Sequence, residues 1–208
     1  MQIGRRSLKK AQTRLDILGA VYQLTAELRF RELKVKTIAE LADVTEVTFF
    51  NYFRKKEDIL MYMTGLWALD LVALQHRHPM TGEVAIRRIF SETAQQVKQH
   101  PGLMVGFISY LVTNEIEADA NVIEPADRQL LYPDFLELCE VPIPNGNEMM
   151  MKHLVEIDPG MDHEKVLLHL ASCFYGDVLI AHTAGLDLGR LYTRSLDLIF
   201  STVCQQET

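Results

Sequence analysis

Apolar residues recur every three to four positions along nearly the whole chain, and runs of strict apolar–polar alternation are scarce. Recurrence at that spacing lays a stripe along one face of an α-helix, whereas alternation marks strands; the chain is therefore expected to be all-α. Ile17, Val21, Leu24 and Leu28 form the first stripe and predict a helix over 7–28. Two short helices over 36–42 and 46–53 follow, and then a long one over 56–75. His76-Arg77-His78-Pro79 closes it, because proline has no N–H with which to continue the ladder. Thr81 or Gly82 can cap a helix running to about residue 100. Pro101-Gly102 breaks the chain again, and 103–117 is apolar on almost every side, which predicts central burial. From 119 to 160 the pattern weakens, with Pro125, Pro133, Pro142, Pro144 and Pro159 separating segments over 128–131, 135–139 and 148–157. Two long helices over 162–184 and 188–204 complete the chain, with Gly185 as the stop between them. There is no internal repeat.

At 208 residues, 48% hydrophobic and 24% charged, the chain is large enough to enclose a substantial core, and disordered, fibrous and low-complexity classes drop out. Cys139, Cys173 and Cys204 are odd in number and widely spaced, which excludes a disulfide framework or a four-cysteine metal site and suits a reducing compartment. The most apolar stretch, 103–112, falls short of the roughly 20 residues a bilayer requires. Asp16, Tyr22 and Gln23 spoil a signal-peptide reading of the segment after Arg5, Arg6, Lys9 and Lys10. A cytoplasmic protein without a membrane span is expected. The net charge of −7 hides a division: residues 1–58 hold twelve Lys and Arg against eight Asp and Glu, or +4, and the rest hold nine against twenty, or −11. A basic end on an acidic body would turn its N-terminal segment toward a polyanion.

Two short helices joined by a tight turn, after a longer helix and among cations, suggest a helix-turn-helix. Ile38 and Ala39 lie on the inner side of the first, Val44 fills the turn, and Phe49, Phe50 and Phe53 offer apolar bulk to seat the second. Thr45 can cap that second helix by accepting a backbone N–H. Glu46, Val47, Thr48 and Asn51 remain near its start or outer side, where side chains could meet base edges in a major groove about 12 Å wide. Lys55 and Lys56 follow, well placed for phosphate.

These residues resemble the tetracycline-repressor (TetR) family of bacterial transcription regulators. Arg14, Ile17-Leu18 and Leu24-Thr25 fall where the family has an Arg, an Ile-Leu pair and a Leu-Phe pair. Phe30 matches a loop aromatic, Ile38-Ala39 an Ile-Ala, and Ala42-Asp43-Val44-Thr45 an Ala-Gly-Val-Ser element. Thr48 to Phe53 matches Thr-Leu-Tyr-x-x-Phe, and Lys56-Glu57 the Lys-Glu that opens the fourth helix. The match runs over about residues 14–60 in one uninterrupted register. Arg29 and Asp43 stand where glycine is usual, Lys34 where a capping threonine is usual, and Phe50 where the family often has a tyrosine for a backbone contact.

The resemblance implies a helix-turn-helix DNA-binding domain over 1–55 and a larger helical effector-binding and dimerisation domain over 56–208. It implies phosphate contacts from Lys36, Thr45, Thr48, Tyr52 and Lys56, with Arg5, Arg6, Lys9 and Lys10 as a possible arm. Glu46, Val47, Thr48 and Asn51 are then base readers: Asn pairs with adenine, Glu accepts from cytosine N4, and Val meets a thymine methyl. It also implies a homodimer joined through the last two helices. There Leu167, Leu170, Phe174, Val178 and Ala181 make one stripe and Leu188, Tyr192, Ile199 and Val203 another, with Leu168, Tyr175, Leu179, Leu191 and Leu198 outside them. An effector cavity is implied too, and Met63, Trp67, Met104, Phe107, Ile108, Tyr110, Leu111, Phe174 and Tyr175 fall on helices that would surround one.

The function expected is a sequence-specific transcriptional regulator, a repressor released from a palindromic double-stranded operator by a small, largely apolar ligand. An activator or a ligand-independent regulator is the alternative within the fold. A helical enzyme or carrier would draw on Glu115 and Glu117 or on His169 and Cys173, but no Gly-rich phosphate loop, nucleophile elbow or His-Glu-x-x-His spacing supports it; no enzyme and no cofactor are expected. His169, Cys173 and Asp177 share a helix face, yet they lack a metal-site motif in an otherwise apolar helix, and no metal is assigned.

Overall fold

The structure is a computed structural model and describes residues 3–113 and 123–204, with side chains to Thr202. Among the described residues there are ten α-helices, two short 3-10 turns and no strand, so the all-α expectation holds. In chain order they are α1 (Arg5–Leu24), a 3-10 turn (Phe30–Glu32), α2 (Val35–Leu41), α3 (Glu46–Tyr52), α4 (Asp58–Arg77), α5 (Gly82–Gln99), α6 (Pro101–Thr113), α7 (Pro125–Leu131), a second 3-10 turn (Leu136–Cys139), α8 (Gly146–Ile157), α9 (His163–Ala184) and α10 (Leu188–Cys204). The first helix stops four residues short of its apolar stripe. Thr25 turns its hydroxyl back onto the Val21 carbonyl at 2.9 Å, and Leu28 is left exposed beyond it. Gly185 ends α9 in the left-handed region, with φ of 66°, as a helix stop requires.

Two compact units form, one from Met1–Ala73 with Gly106–Ile143 and one from Leu74–Val105 with Pro144–Thr208. The chain therefore does not divide compactly at residue 55: most of α4, most of α6 and all of α7 pack in the unit that carries α1 to α3.

In the first unit α1 packs on α2 and α7, burying Ala11, Ile17, Leu18 and Val21. A buried polar cluster ties these helices together. The Arg14 guanidinium donates to the Asp127 carboxylate from Nε at 3.2 Å and Nη2 at 2.8 Å, and to Glu124 from Nη1 at 3.1 Å. The Tyr62 hydroxyl of α4 donates to the same Asp127 at 2.7 Å, and Asp127 is fully buried. Burial alone would lower the Arg14 pKa, but Glu124 and Asp127 outweigh it and hold the guanidinium charged; burial and the Asp127 charge push the Tyr62 hydroxyl well up. The next residue, Arg128, donates to the Leu138 and Val141 carbonyls at 2.8 and 2.6 Å, which fastens the second 3-10 turn to α7. α6 is buried through Leu103, Phe107, Ile108 and Tyr110, but Val112 is 81% exposed. The burial expected on almost every side thus fails along the side of Ser109 and Val112, and 114–117 of the predicted segment lie outside the described residues.

In the second unit α5 packs on α8 and α10, and α9 packs on α8 and α10. Its centre is aromatic. The Phe90 ring stands edge-on to Phe174 at 5.2 Å and to Tyr192 at 4.8 Å, an arrangement that suits ring quadrupoles. The Tyr192 hydroxyl is satisfied by the Phe174 carbonyl at 2.8 Å, and burial raises its pKa. Ser195 donates to the buried Asp177 at 2.7 Å, and Arg87 bridges Glu83 and Asp197 at 2.7 and 2.8 Å.

Candidate nucleic-acid interface

α2 is seated by Ile38 and Ala39, both buried. The turn after it reverses at Asp43, whose φ is 53°, a conformation aspartate tolerates better than most residues. Val44 N–H closes the turn onto the Ala39 carbonyl at 2.9 Å. Thr45 then caps α3: its Oγ1 accepts from the Thr48 N–H at 3.0 Å and lies 2.9 Å from the Thr48 hydroxyl. Phe49 and Phe53, four residues apart on the inner face, are buried with rings 5.8 Å apart. Phe50 was expected to seat α3 with them, and it does not. One residue is about 100° around a helix, so Phe50 turns outward and is 49% exposed.

Glu46, Val47 and Asn51 are exposed on the same outer side of α3, while Thr48 and Tyr52 are half-buried. The cations fall into two groups. Lys36 is exposed and only loosely near Glu40 at 3.9 Å, and Arg5, Arg6, Lys9 and Lys10 of α1 are exposed. Lys56, expected at phosphate, instead donates to the carbonyls of Phe30, Arg31 and Leu33 at 3.1, 3.1 and 3.0 Å. A lysine has three N–H donors, so all three are spent inside the chain, with the ammonium also 5.0 Å from the Phe30 ring centroid. This clasp holds the loop where Lys34, at the N-cap of α2, makes no side-chain cap. Lys55 Nζ lies 5.3 Å from the Tyr110 ring centroid. Sequence reasoning did not assign Arg31 or Arg54, which are exposed cations in the same segment; their signal was charge alone, with no family position behind it.

The nine residues expected around an effector are split between the units. Met63, Trp67, Phe107, Ile108, Tyr110 and Leu111 are in the first, and Met104, Phe174 and Tyr175 in the second. Phe107, Ile108, Tyr110 and Phe174 are buried and the others half-buried. Within the second unit Phe174 is enclosed by Phe90, Tyr192 and Tyr175. Two clefts there touch none of the nine: one of about 210 Å³ among α5, α6 and α9, and one of about 400 Å³ between α5 and α10. His169 is exposed while Asp177 is buried against Ser195, so the face shared by His169, Cys173 and Asp177 does not converge. Among the described residues no group of three His, Cys, Asp or Glu is placed to hold a metal ion. Glu115 and Glu117 lie outside the described residues. Two helices, Asp58–Arg77 and His163–Ala184, are long and apolar enough to cross a membrane by length and composition alone.

A capped helix set on a buried support, with Glu46, Val47, Phe50 and Asn51 on its outer face and cations beside it, gives a helix-turn-helix within an all-α chain. Its fold is that of the TetR-family transcriptional regulators. FadR from Thermus thermophilus, a TetR-family transcriptional repressor solved with lauroyl-CoA, is similar over 90% of this chain and 93% of its own, at 19% identity and a TM-score of 0.59. The fatty acid degradation regulator FadR from Bacillus halodurans is similar over 96% of both chains at 16% identity and a TM-score of 0.57. FadR from Bacillus subtilis, solved with stearoyl-CoA, is similar over 89% of this chain and 96% of its own at 18% identity and a TM-score of 0.54. No family model and no curated protein matches the sequence.

Proposed function

We propose that the chain is a homodimeric, sequence-specific DNA-binding regulator, a repressor released from a palindromic operator by a small and largely apolar effector. The observation that carries this reading is α3, held rigidly by Thr45, Phe49 and Phe53 while Glu46, Val47 and Asn51 face outward from a basic segment. Residues 1–55 serve as reader and 56–208 as the effector-binding and dimerisation part. Glu46, Val47, Thr48 and Asn51 read bases, and Lys36, Thr45, Tyr52 and Lys55 position the protein on phosphates with the exposed cations of α1. Lys56 joins them by ordering the loop rather than by touching DNA.

Two dimer-related α3 helices enter major grooves about one helical turn, some 34–36 Å, apart. An effector that prefers another separation shifts the population by its differential affinity, tenfold for every 1.4 kcal/mol. Met63, Trp67, Met104, Phe107, Ile108, Tyr110, Leu111, Phe174 and Tyr175 are the proposed effector contacts. Acyl-CoA thioesters, present in two structures similar to this chain, are the first compounds to try. The dimer uses α9 and α10, in the cytoplasm and with no membrane partner; no catalytic role is assigned.

The test is selection of duplexes from a random pool by the full chain, repeated with a series of acyl-CoA compounds from eight to eighteen carbons. The expected result is a palindromic consensus lost in the presence of one chain-length class. A chain that enriches no duplex at low salt would refute the reading.

A further inference from the structure

Two clefts of the second unit meet at a pair of opposite charges. The smaller, of about 210 Å³, is walled by Val97 of α5, Pro101 and Val105 of α6, Val178 and Ala181 of α9 and Leu188 of α10; the larger, of about 400 Å³, runs on between α5 and α10. Ala94, Lys98, Asp187 and Gly189 line both. The junction is open because Ala94 and Gly189 have so little side chain: a Cβ added at Gly189 would lie 3.9 Å from the Ala94 Cβ. Lys98 and Asp187 are exposed there and do not pair with each other. Among the described residues the Lys98 ammonium has no partner, and the Asp187 carboxylate accepts only the Arg190 N–H, at 2.8 Å through Oδ1, where it caps α10.

An apolar ligand with one charge would satisfy one member of this pair and set a like charge beside the other. A ligand with both charges on one carbon satisfies the two together and turns its remaining arm into the apolar cleft. That cleft is smaller than the roughly 300–1,000 Å³ of drug-sized pockets, which suits a side chain of a few carbons. A second copy of the chain is not the occupant. Leu196 lines the larger cleft, whereas the exposed Leu198, two residues and about 200° further round α10, faces away from it, so a partner laid on Leu198 covers the opposite side.

We propose that the junction of the clefts is a small-molecule site for a free α-amino acid with an apolar side chain of leucine size. Its carboxylate meets Lys98, its ammonium meets Asp187 Oδ2, and its side chain enters among Val97, Val105, Val178 and Leu188. The larger cleft, polar through Ser91, Gln95 and Thr193, is the approach from solvent. A peptide does not fit, since either of its ends carries only one of the two charges. The site involves no residue of α1 to α3 and none of the nine proposed effector contacts, so it stands apart from the DNA-binding reading.

The test titrates the full chain, dialysed free of amino acids, with L-leucine by calorimetry. Beside it run isocaproate, which lacks the ammonium, isoamylamine, which lacks the carboxylate, and glycine, which lacks the side chain. Leucine should saturate below about 10 mM and raise the melting temperature, as a ligand of the folded state does. Each of the other three loses a charged or an apolar contact and should bind about tenfold more weakly or worse. Lys98→Gln and Asp187→Asn should each weaken leucine by about the same factor. Both variants should melt with the parent when unliganded, because Lys98 is exposed and asparagine caps a helix as well as aspartate does. Absence of saturation by leucine, isoleucine, methionine and phenylalanine alike overturns the site. Isocaproate binding as tightly as leucine, or leucine binding undiminished in both variants, overturns it too. The titration contains no DNA, so none of these results touches the DNA-binding reading, and failure to select a duplex leaves this site standing.

Discussion

Lys36 and Lys56 carry the same charge in the same basic segment, but they differ in what their donors already hold. Lys36 extends into solvent, whereas each N–H of Lys56 faces a carbonyl of the loop before α2. A phosphate can recruit the first without cost and could recruit the second only by releasing that loop. Lys36→Ala should therefore lower the slope of log K against log salt by about one per half-site and leave the melting temperature unchanged. Lys56→Ala should leave the slope unchanged and destabilise the fold by about 2 kcal/mol, since hydrogen bonds to a charged group are lost. Asn51→Ala should weaken specific binding far more than non-specific binding. Salt titrations of operator and random duplex, with thermal melts of the same variants, separate the three roles; a reduced slope with unchanged stability for Lys56→Ala would restore that residue to phosphate contact. Charge and family position pointed to Lys56 equally well in either role, because a sequence does not record which acceptors fold up to a lysine.

At the level of elements, the sequence marked where helices start and stop but not which of them meet. The turn residues were legible because their chemistry is local: Asp43 at positive φ, Thr45 at the cap of α3 and Gly185 beyond α9 each satisfy a requirement set by neighbours in sequence. The contact between α1 and α7 was not legible, since Arg14 and Asp127 are 113 residues apart and neither lies in a pattern that names the other. Gly106 shows the same limit: a Cβ there would lie 3.1 Å from the Phe30 Cβ, a close approach of α6 to the loop that Lys56 clasps. The Arg14 cluster gives a sharp expectation. Asp127→Ala leaves a buried guanidinium without its bidentate partner and should cost about 3–5 kcal/mol, whereas Arg14→Met with Asp127→Leu and Tyr62→Phe removes both charges together with the hydroxyl that donates to Asp127 and should fall close to the parent. Chemical denaturation of the three proteins decides it. A combined variant as unstable as the single one would mean that the polar cluster itself, rather than apolar packing, holds the helices together.

Over the whole molecule, the compact units cut across the boundary that the helix-turn-helix pattern suggests, because α7 and most of α6 pack in the unit of α1 to α3 although they lie far beyond them in sequence. A division read from composition follows the chain, whereas packing follows whichever apolar and charged faces meet. One surface is still unaccounted for by either unit alone. α9 and α10 bury Leu170, Phe174, Val178, Leu188 and Tyr192 inward, yet Leu168 is 67% and Leu198 63% exposed, with Leu179 and Ile180 exposed as well. Scattered single leucines need no explanation, but several on two adjoining helices form the kind of patch that a second copy covers. If α9 and α10 pair across a two-fold axis, Leu168→Glu or Leu198→Glu places like charges in the contact and should yield monomers at micromolar concentration by sedimentation velocity. A monomer brings one α3 to one half-site and forfeits the coupled second contact. Affinity for the palindrome should then fall by two orders of magnitude or more, within the range linkage of two sites supplies, while binding to a single half-site stays near the parent value. Variants that remain dimeric and bind the palindrome undiminished would place the interface elsewhere.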